Sequence, residues 1–187
     1  MTNKLEKPLA VVTWSGGYDS TLLIAKLLRE GRRVMALTFV NNAQSREQRI
    51  KEEAARDELT PILKSLYPNG FEHYSMTVPC TDLPATYDKY IGHDKSDTNE
   101  AYQSTLVSDQ RNCQPVLWLG TLAMYLPYIP NDSEIMFSYI STDRTLVNLS
   151  HIEAVISNMA DILDKNVVVR FPLRRYLKSS VLHELYD

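Results

Sequence analysis

Residues 15–20 read Ser-Gly-Gly-Tyr-Asp-Ser and join a strand-like apolar run, residues 9–14, to a helical pattern over residues 19–30. At such a junction the first N–H groups of the helix have no intrahelical acceptor and lie at the positive end of the helix dipole. This position binds anions, phosphates above all. Gly16 and Gly17 carry no Cβ, which allows the backbone to turn sharply and to approach a ligand closely. The order of elements therefore predicts a phosphate site.

The polar side chains of this loop are those that a nucleotide phosphate site uses. Ser15 and Ser20 provide hydroxyl donors, and Asp19 provides a carboxylate that can hold Mg²⁺ between phosphate oxygens. The loop is neither the Walker form, which spaces its glycines and ends in Gly-Lys-Ser/Thr, nor the spaced-glycine dinucleotide fingerprint. The competing interpretation is a polar surface turn without a chemical role.

Composition is that of one ordinary globular domain. The chain has 187 residues, of which 44% are hydrophobic and 23% charged, with a net charge of −3. There is no apolar run of membrane-spanning length and no signal-peptide pattern, so we expect a cytoplasmic protein that does not enter a membrane. Cys80 and Cys113 form no Cys-x-x-Cys pair, which argues against a disulfide framework or a cysteine-rich zinc site. The negative charge argues against nucleic acid as a partner.

Strand and helix patterns alternate along the whole chain. Strands are predicted at residues 9–14, 33–40, 71–78, 134–140 and 167–171. Helices are predicted at residues 19–30, 45–58, 114–127, 150–164 and 179–185. This alternation predicts a single α/β domain over residues 1–187, with a five-stranded parallel sheet and helices on both faces.

Local signals mark three of the helix boundaries. Gly31 is expected to close the first helix, and Thr60-Pro61 to cap and begin a new helical piece. Ser150 and Glu153 have the spacing of a capping box at the start of another helix.

One segment, residues 80–112, is too long and too irregular for an ordinary connection, and predicts a lid, a binding insert or disorder. The loops that follow the strands are the second place to look for function, because ligands of parallel sheets bind at the carboxyl ends of strands. These loops carry residues 15–20, 41–44, 141–144 and 174–178.

The loop Ser-Gly-Gly-x-Asp-Ser resembles the signature of the PP-loop ATP pyrophosphatase superfamily. Members bind the β,γ-pyrophosphate of ATP and cleave between the α and β phosphates, adenylating a substrate. The resemblance implies an adenine nucleotide alpha hydrolase-like (HUP-type) fold, with ATP and Mg²⁺ as cofactors.

Shorter segments are similar to the 7-cyano-7-deazaguanine synthase family, in the same order along the chain. They are residues 42–47 (Asn-Ala-Gln-Ser-Arg-Glu), Arg111-Asn112, and residues 171–173 (Phe-Pro-Leu) with 177–185. This resemblance implies that ATP and ammonia convert the carboxylate of a deazaguanine to a nitrile, in a possible homodimer. That family continues into a cysteine-rich zinc segment, whereas this chain stops at Asp187. Either the protein is a shorter relative with a changed acceptor, for which no zinc is expected, or the chain is truncated. Leu177 stands where threonine is usual.

The resemblance also assigns candidate site residues. Those expected to bind ATP are Ser15, Gly16, Gly17, Tyr18, Ser20 and Phe39, with Gln44 and Arg46 near the acceptor or the α-phosphate. The candidate catalytic residues are Asp19, which also holds Mg²⁺, and Lys178 and Arg111, which neutralise phosphate charge. The alternative role for Lys178 and Arg111 is a surface salt bridge without a function in binding. The alternative role for Gln44 and Arg46 is helix capping.

Three other functions share the loop. A tRNA-modifying or tRNA-thiolating enzyme would need a reactive cysteine and a basic surface, and Cys113 is the thiol to test. Another amidating synthetase would need free ammonia at this chain length. A non-catalytic ATP-binding protein would keep the fold and lose the chemistry.

Overall fold

The structure, a computed structural model, describes residues 7–41, 46–78, 118–143 and 149–186. Five strands lie within these ranges: β1 (Ala10–Thr13), β2 (Val34–Asn41), β3 (Phe71–Val78), β4 (Ser133–Met136) and β5 (Val167–Arg170). The helices are α1 (Tyr18–Arg29), α2 (Arg46–Leu66), α3 (residues 118–125), α4 (Leu149–Ile162) and α5 (Lys178–Tyr186), with a short 3-10 helix, Leu126–Tyr128. No helix in the described ranges is long and apolar enough to cross a lipid bilayer.

The five strands form one parallel sheet in the order β3-β2-β1-β4-β5. The chain therefore builds outward from β1 to β3, and then returns to the other side of β1 to add β4 and β5. This reversal separates the loops that follow β1 and β4, and leaves a crevice at their carboxyl ends where ligands of such sheets bind. The predicted α/β class and the five parallel strands are confirmed.

Helices cover both faces of the sheet, as expected. On one face Val12 of β1 and Trp14, which follows the strand, pack with α1, α2 and α5, and on the other face Val11 packs with α3 and α4. All four β1 residues are buried, which explains why this strand reads as a continuous apolar run rather than an alternating one.

Two predicted helix starts were wrong. Helix α2 continues through Thr60 and Pro61 to Leu66, although proline removes one backbone hydrogen bond. Leu59 and Leu63, on either side of the proline, pack against the core and hold the helix together there. The Thr60 hydroxyl lies 3.2 Å from Nδ1 of His73 on β3, a tertiary contact in place of a cap.

The second wrong start is the capping box, because α4 already includes Leu149 and places Ser150 inside the helix. Strand β4 is shorter than predicted and ends at Met136, where its neighbour β5 ends at Arg170. The predicted helix over residues 114–127 is helical at 118–125, and its earlier residues lie outside the described ranges. The insert predicted at residues 80–112 also lies outside them.

Helix α1 ends at Gly31 as predicted. Gly31 has a φ of +72°, its N–H donates to the Leu28 carbonyl (2.9 Å), and the Arg32 N–H donates to the Leu27 carbonyl (3.0 Å). This is the left-handed helix end that glycine adopts without steric cost.

We expect Gly31→Ala to lower the free energy of unfolding by about 1 kcal/mol, because a Cβ is disfavoured at positive φ. A Cβ at this position would touch no other atom within 4 Å, so the loss measures backbone strain alone. Gly120→Ala is the matched control, since Gly120 lies in α3 with equally open space and no positive φ is recorded there. Urea unfolding should show the control unchanged or stabilised; equal losses in both variants would contradict the prediction.

Candidate functional site

The loop between β1 and α1 ends in an exposed helix start. Gly17 is the N-cap of α1, and the first intrahelical hydrogen bond runs from the Thr21 N–H to the Gly17 carbonyl, at 3.1 Å. The N–H groups of residues 18–20 therefore precede the hydrogen-bonded part of the helix. Because β1 is the central strand, these groups lie beside the crevice where the strand order reverses.

The two serine hydroxyls brace the loop from within. Ser20 is buried and donates from Oγ to the Gly17 carbonyl at 3.2 Å. Ser15 Oγ accepts the Gly17 N–H at 3.1 Å and lies 3.3 Å from Ser20 Oγ. Since Ser20 gives its proton to Gly17, Ser15 is the donor between the two hydroxyls. The serines predicted as phosphate ligands thus also hold the turn in shape.

Gly16 is required by the protein itself rather than by a ligand. Its φ is +96°, and a Cβ on it would lie 2.4 Å from the Glu52 carbonyl oxygen and 3.0 Å from Cγ of Arg56. Gly17 has an ordinary φ of −76°, and a Cβ there would meet only the Ser15 hydroxyl, at 3.2 Å. The first glycine therefore lets the loop lie directly on α2.

Asp19 and Lys178 come together across the crevice, although 159 residues separate them. Nζ of Lys178 lies 2.9 Å from Oδ1 and 2.8 Å from Oδ2 of Asp19. The same ammonium lies 5.6 Å from the centre of the Tyr18 ring, and the Tyr18 side chain is more than half exposed. Lys178 is 46% exposed, so the pair is a surface ion pair worth about 0–1 kcal/mol, weak enough for a phosphate to displace it.

The segment before α5 fixes the position of Lys178. The Tyr176 carbonyl accepts two hydrogen bonds from Ser141, from its N–H (2.9 Å) and its hydroxyl (2.7 Å). Lys26 of α1 donates to the Tyr176 hydroxyl (2.9 Å) and pairs with Glu184 of α5 (2.6 Å). The loop after β4 and the helix after β1 both hold the segment that carries the lysine.

Asp143, in the loop after β4, is a second carboxylate at the site. Its Oδ2 accepts the Ile140 N–H at 2.7 Å. Burial raises the pKa of Asp143; the Ile140 hydrogen bond opposes this, the charge of Asp19 raises the pKa further, and Lys178 lowers it. The sequence placed Asp143 only in a loop at this end of the sheet, without a role.

The two carboxylates fit a magnesium ion. Mg²⁺ in nucleotide sites takes one or two carboxylates and completes its shell with phosphate oxygens and water. Asp19 and Asp143 supply hard oxygen ligands of this kind, close enough to influence each other's charge. Over residues 7–41, 46–78, 118–143 and 149–186, no three His, Cys, Asp or Glu side chains come together to hold a metal.

A small cavity opens at the carboxyl ends of β1 and β2, beside the loop. Its lining includes Thr13, Phe39, Arg49, Arg56 and Trp118. Phe39 is 7% exposed, and its ring lies 5.9 Å from that of Tyr125. Within the described part of the chain, Thr13 Oγ1 and Trp118 Nε1 are buried without a hydrogen-bond partner. Such groups are costly unless something bonds to them, so the cavity can receive a ligand heteroatom.

The side chains of three predicted site residues lie outside the described part of the structure. Arg46 is the first residue of α2, but its side chain lies outside the described part of the structure. Gln44 and Arg111 lie outside the described ranges altogether. Thr13 and Trp118 were missed by sequence reasoning; the only signal was a threonine interrupting the apolar first strand.

A polar network of Thr38, His73 and Thr60 contacts the backbone of Trp14, directly before the loop. The Thr38 hydroxyl donates to the Trp14 carbonyl at 2.7 Å and lies 2.9 Å from Nε2 of His73. Since Thr38 has donated its proton, Nε2 carries the histidine proton and Nδ1 accepts from Thr60. Burial first, and then the charges of Arg56 and Lys64, lower the pKa of His73 to about 4. His73 is therefore neutral in this network.

Comparison with known proteins supports the fold. No protein-family model matches the chain, and a comparison with curated proteins found no match. A solved structure described as a predicted subunit of a tRNA methyltransferase, from Methanocaldococcus jannaschii, is similar with a TM-score of 0.54 at 15% identity, over 96% of this chain and 75% of its own. At this identity the likeness shows a shared fold alone.

Two further structures are similar at lower scores. NMN synthetase from Francisella tularensis has a TM-score of 0.44 at 13% identity over 87% of this chain. The U34-tRNA thiolase NcsA from Methanococcus maripaludis, solved with its 4Fe-4S cluster, has a TM-score of 0.41 at 16% identity over 97% of this chain. This chain spans 64% and 57% of their respective lengths.

We expect Gly16→Ala to lower the free energy of unfolding by at least about 2 kcal/mol, because the new Cβ meets a backbone carbonyl at a strained φ. Gly17→Ala, one residue along the same loop, should cost less than about 1 kcal/mol, since its φ is ordinary and only a side-chain hydroxyl must move. Urea unfolding of the two variants checks the difference. Equal losses would show that the contact with α2 does not determine the loop.

Stability should also fall on acidification through His73. Its pKa of about 4 lies below the ordinary 6.5, so between these pH values the unfolded chain binds a proton that the native protein does not. The free energy of unfolding should therefore decrease as the pH falls from about 6.5 to about 4, by up to about 3 kcal/mol. His73→Gln should remove the part of this slope between about pH 6.5 and pH 5 in urea unfolding, whereas His183→Gln, at an exposed position, should retain it. Below about pH 5, Glu134 and Glu184, whose pKa values are lowered, add a slope of the same sign. An unchanged slope above about pH 5 in His73→Gln would refute the assignment.

Proposed function

We propose that this chain is an ATP pyrophosphatase of the PP-loop type, which adenylates the carboxylate of an acceptor and releases pyrophosphate. The observation that carries the proposal is the meeting of Asp19 and Lys178 at the start of α1, beside the reversal of strand order. In this proposal one crevice holds three groups: the start of α1, which binds phosphate, Asp19, which binds metal, and Lys178, a cation on a flexible side chain. The Ser-Gly-Gly-x-Asp-Ser loop supports this superfamily over other nucleotide-binding proteins.

The pyrophosphate end of ATP is held by the loop. The N–H groups of residues 18–20 donate to phosphate oxygens, and the serines keep these groups in place. Lys178 turns from Asp19 to the phosphates, a short movement for an ammonium on a flexible side chain. Asp19 is thereby released to bind metal.

Magnesium would be held by Asp19 and Asp143, where it supplies positive charge to the leaving pyrophosphate. Lys178 and the amides of α1 act on the same developing charge from the protein side, and the amides are already oriented before the reaction.

We place the base of the nucleotide next to the small cavity at the ends of β1 and β2. Only an edge of the base would enter it, because the cavity has room for about one water molecule. Phe39 lines the cavity with an apolar ring, and Thr13 and Trp118 line it with hydrogen-bonding groups that have no partner among the described residues.

In the reaction, an oxygen of the acceptor carboxylate attacks the α-phosphorus, and the bond from that phosphorus to the oxygen bridging to the β-phosphate breaks. Pyrophosphate leaves with the bridging oxygen. Ammonia then displaces AMP from the acyl carbon and, after loss of one proton, gives an amide. A second ATP adenylates the amide oxygen and releases a second pyrophosphate. Loss of AMP and of the two protons on nitrogen then gives the nitrile. Positioning supplies much of this catalysis, so no protein nucleophile is required.

A deazaguanine carboxylate is the acceptor we propose. Its support is the order of short segments similar to the 7-cyano-7-deazaguanine synthases, one of which contains Lys178. In the structure the Phe171–Leu173 segment of that resemblance directly precedes Tyr176, which positions the lysine.

The test is to incubate the protein with Mg²⁺, ATP, ammonium and carboxy-deazaguanine and to measure AMP, pyrophosphate and nitrile. We expect Asp19→Asn and Lys178→Met each to lower the rate by about a hundredfold or more, because each removes charge stabilisation from the leaving pyrophosphate. Lys51→Met is the matched control, since Lys51 also forms an exposed ion pair, with Glu47 at 2.6 Å.

Three outcomes are distinct. AMP and pyrophosphate with the nitrile support the complete proposal. AMP and pyrophosphate without the nitrile support adenylation and contradict the acceptor. ATP binding without cleavage contradicts the enzymatic function and favours a non-catalytic ATP-binding protein.

A further inference from the structure

Among the described residues, Arg56 is the most deeply buried charged group that the proposed mechanism leaves without a role. It lies on α2, 41 residues after Ser15, and is 6% exposed. Its Nη1 donates a hydrogen bond to the Ser15 carbonyl, the last peptide oxygen before the two glycines. Burying a guanidinium carries a desolvation penalty. The hydrogen bond from this buried group to a loop carbonyl therefore needs an explanation.

The position of that carbonyl matters for anion binding. A loop that binds phosphate through N–H groups works only if its carbonyl oxygens point elsewhere, because a carbonyl facing the anion would repel it. Arg56 holds the Ser15 oxygen on the α2 side of the loop. Gly16, which has a positive φ, lies against Glu52 and the Arg56 side chain. The next residue, Gly17, is the N-cap of α1.

The positive charge of Arg56 also lies next to the loop and can attract an anion bound there. Burial lowers the pKa of Arg56, and the nearby carboxylates Glu52, Glu53 and Asp57 oppose that shift. The group stays charged, since arginine does not lose its proton in proteins. A fixed and buried positive charge thus lies against the loop, in addition to the exposed Lys178 at the start of α5.

We propose that Arg56 is a positioning residue of the phosphate loop: it holds the Ser15 carbonyl away from the anion and places a permanent positive charge behind the bound phosphates. The inference rests on the proposed function, since it assumes that the loop binds the phosphates of ATP. It adds that the phosphate affinity of the loop depends on α2 as well as on the start of α1.

Calorimetry with Mg-ATP, Mg-pyrophosphate and adenosine tests the inference in the full chain. Arg56→Met should weaken Mg-ATP and Mg-pyrophosphate about ten- to a hundredfold, the range of a lost hydrogen bond to a charged group. Adenosine, which has no phosphate, should lose much less affinity than the two phosphate ligands, although Arg56 also lines the cavity beside the base. A general structural defect would weaken all three ligands.

Two further variants separate charge from geometry. Arg56→Lys keeps the charge without the planar fork, so it should recover part of the phosphate affinity. Arg29→Met removes an exposed arginine at the other end of α1 and should change nothing. Urea unfolding of each variant verifies that the protein is folded; a long apolar side chain in place of a buried charge is commonly tolerated.

The possible failures are distinguishable. Unchanged phosphate affinity in a folded Arg56→Met protein overturns the role of Arg56 and leaves the proposed function intact. Equal loss of adenosine and phosphate affinity also overturns it, because the effect would not be specific to the anion. A wild-type protein that binds neither Mg-ATP nor Mg-pyrophosphate overturns the proposed function, and the role of Arg56 with it.

Discussion

The close contact between Gly16 and α2 is the constraint on which the site depends. Because Gly16 has no side chain, the loop after the central strand lies on the Glu52 carbonyl, and α1 can begin at Tyr18 with its first amides at the crevice. The serines, Asp19 and the start of α1 all take their positions from this turn. The polar network from Trp14 through Thr38 to His73 supports the same strand end from β2, β3 and α2.

The second half of the site comes from segments that follow β4 and β5, the two strands on the other side of β1 in the strand order. Placing β4 next to β1 brings the loop with Ser141 and Asp143 beside the first helix. Ser141 holds Tyr176, and this delivers Lys178 to Asp19. The strand order thus joins the Asp19 carboxylate, which we propose binds metal, and the Lys178 ammonium, which lies 159 residues away in the sequence.

Local patterns were sufficient to predict the strands, the parallel sheet, the end of α1 at Gly31 and the loop itself. They failed where tertiary contacts decide: α2 passes through Pro61 because Leu59 and Leu63 pack on the core, and Ser150 lies inside a helix. A contiguous motif allowed candidate site residues to be named at 15–20, and their binding roles stay predictions. The roles considered for Arg56, Thr13 and Trp118 depend on packing between distant segments, which leaves no pattern of spacing in one sequence.

The pairing of Asp19 with Lys178 has a consequence for how the protein is made. The ribosome releases Asp19 early and adds the lysine only 159 residues later. At about 5–20 residues per second, this delay is roughly 8–30 seconds. During that interval the strands β1, β2 and β3 can associate, but Asp19 does not yet have its lysine partner. The site is therefore completed only after Lys178 has been added, when the rest of the sheet can already have formed.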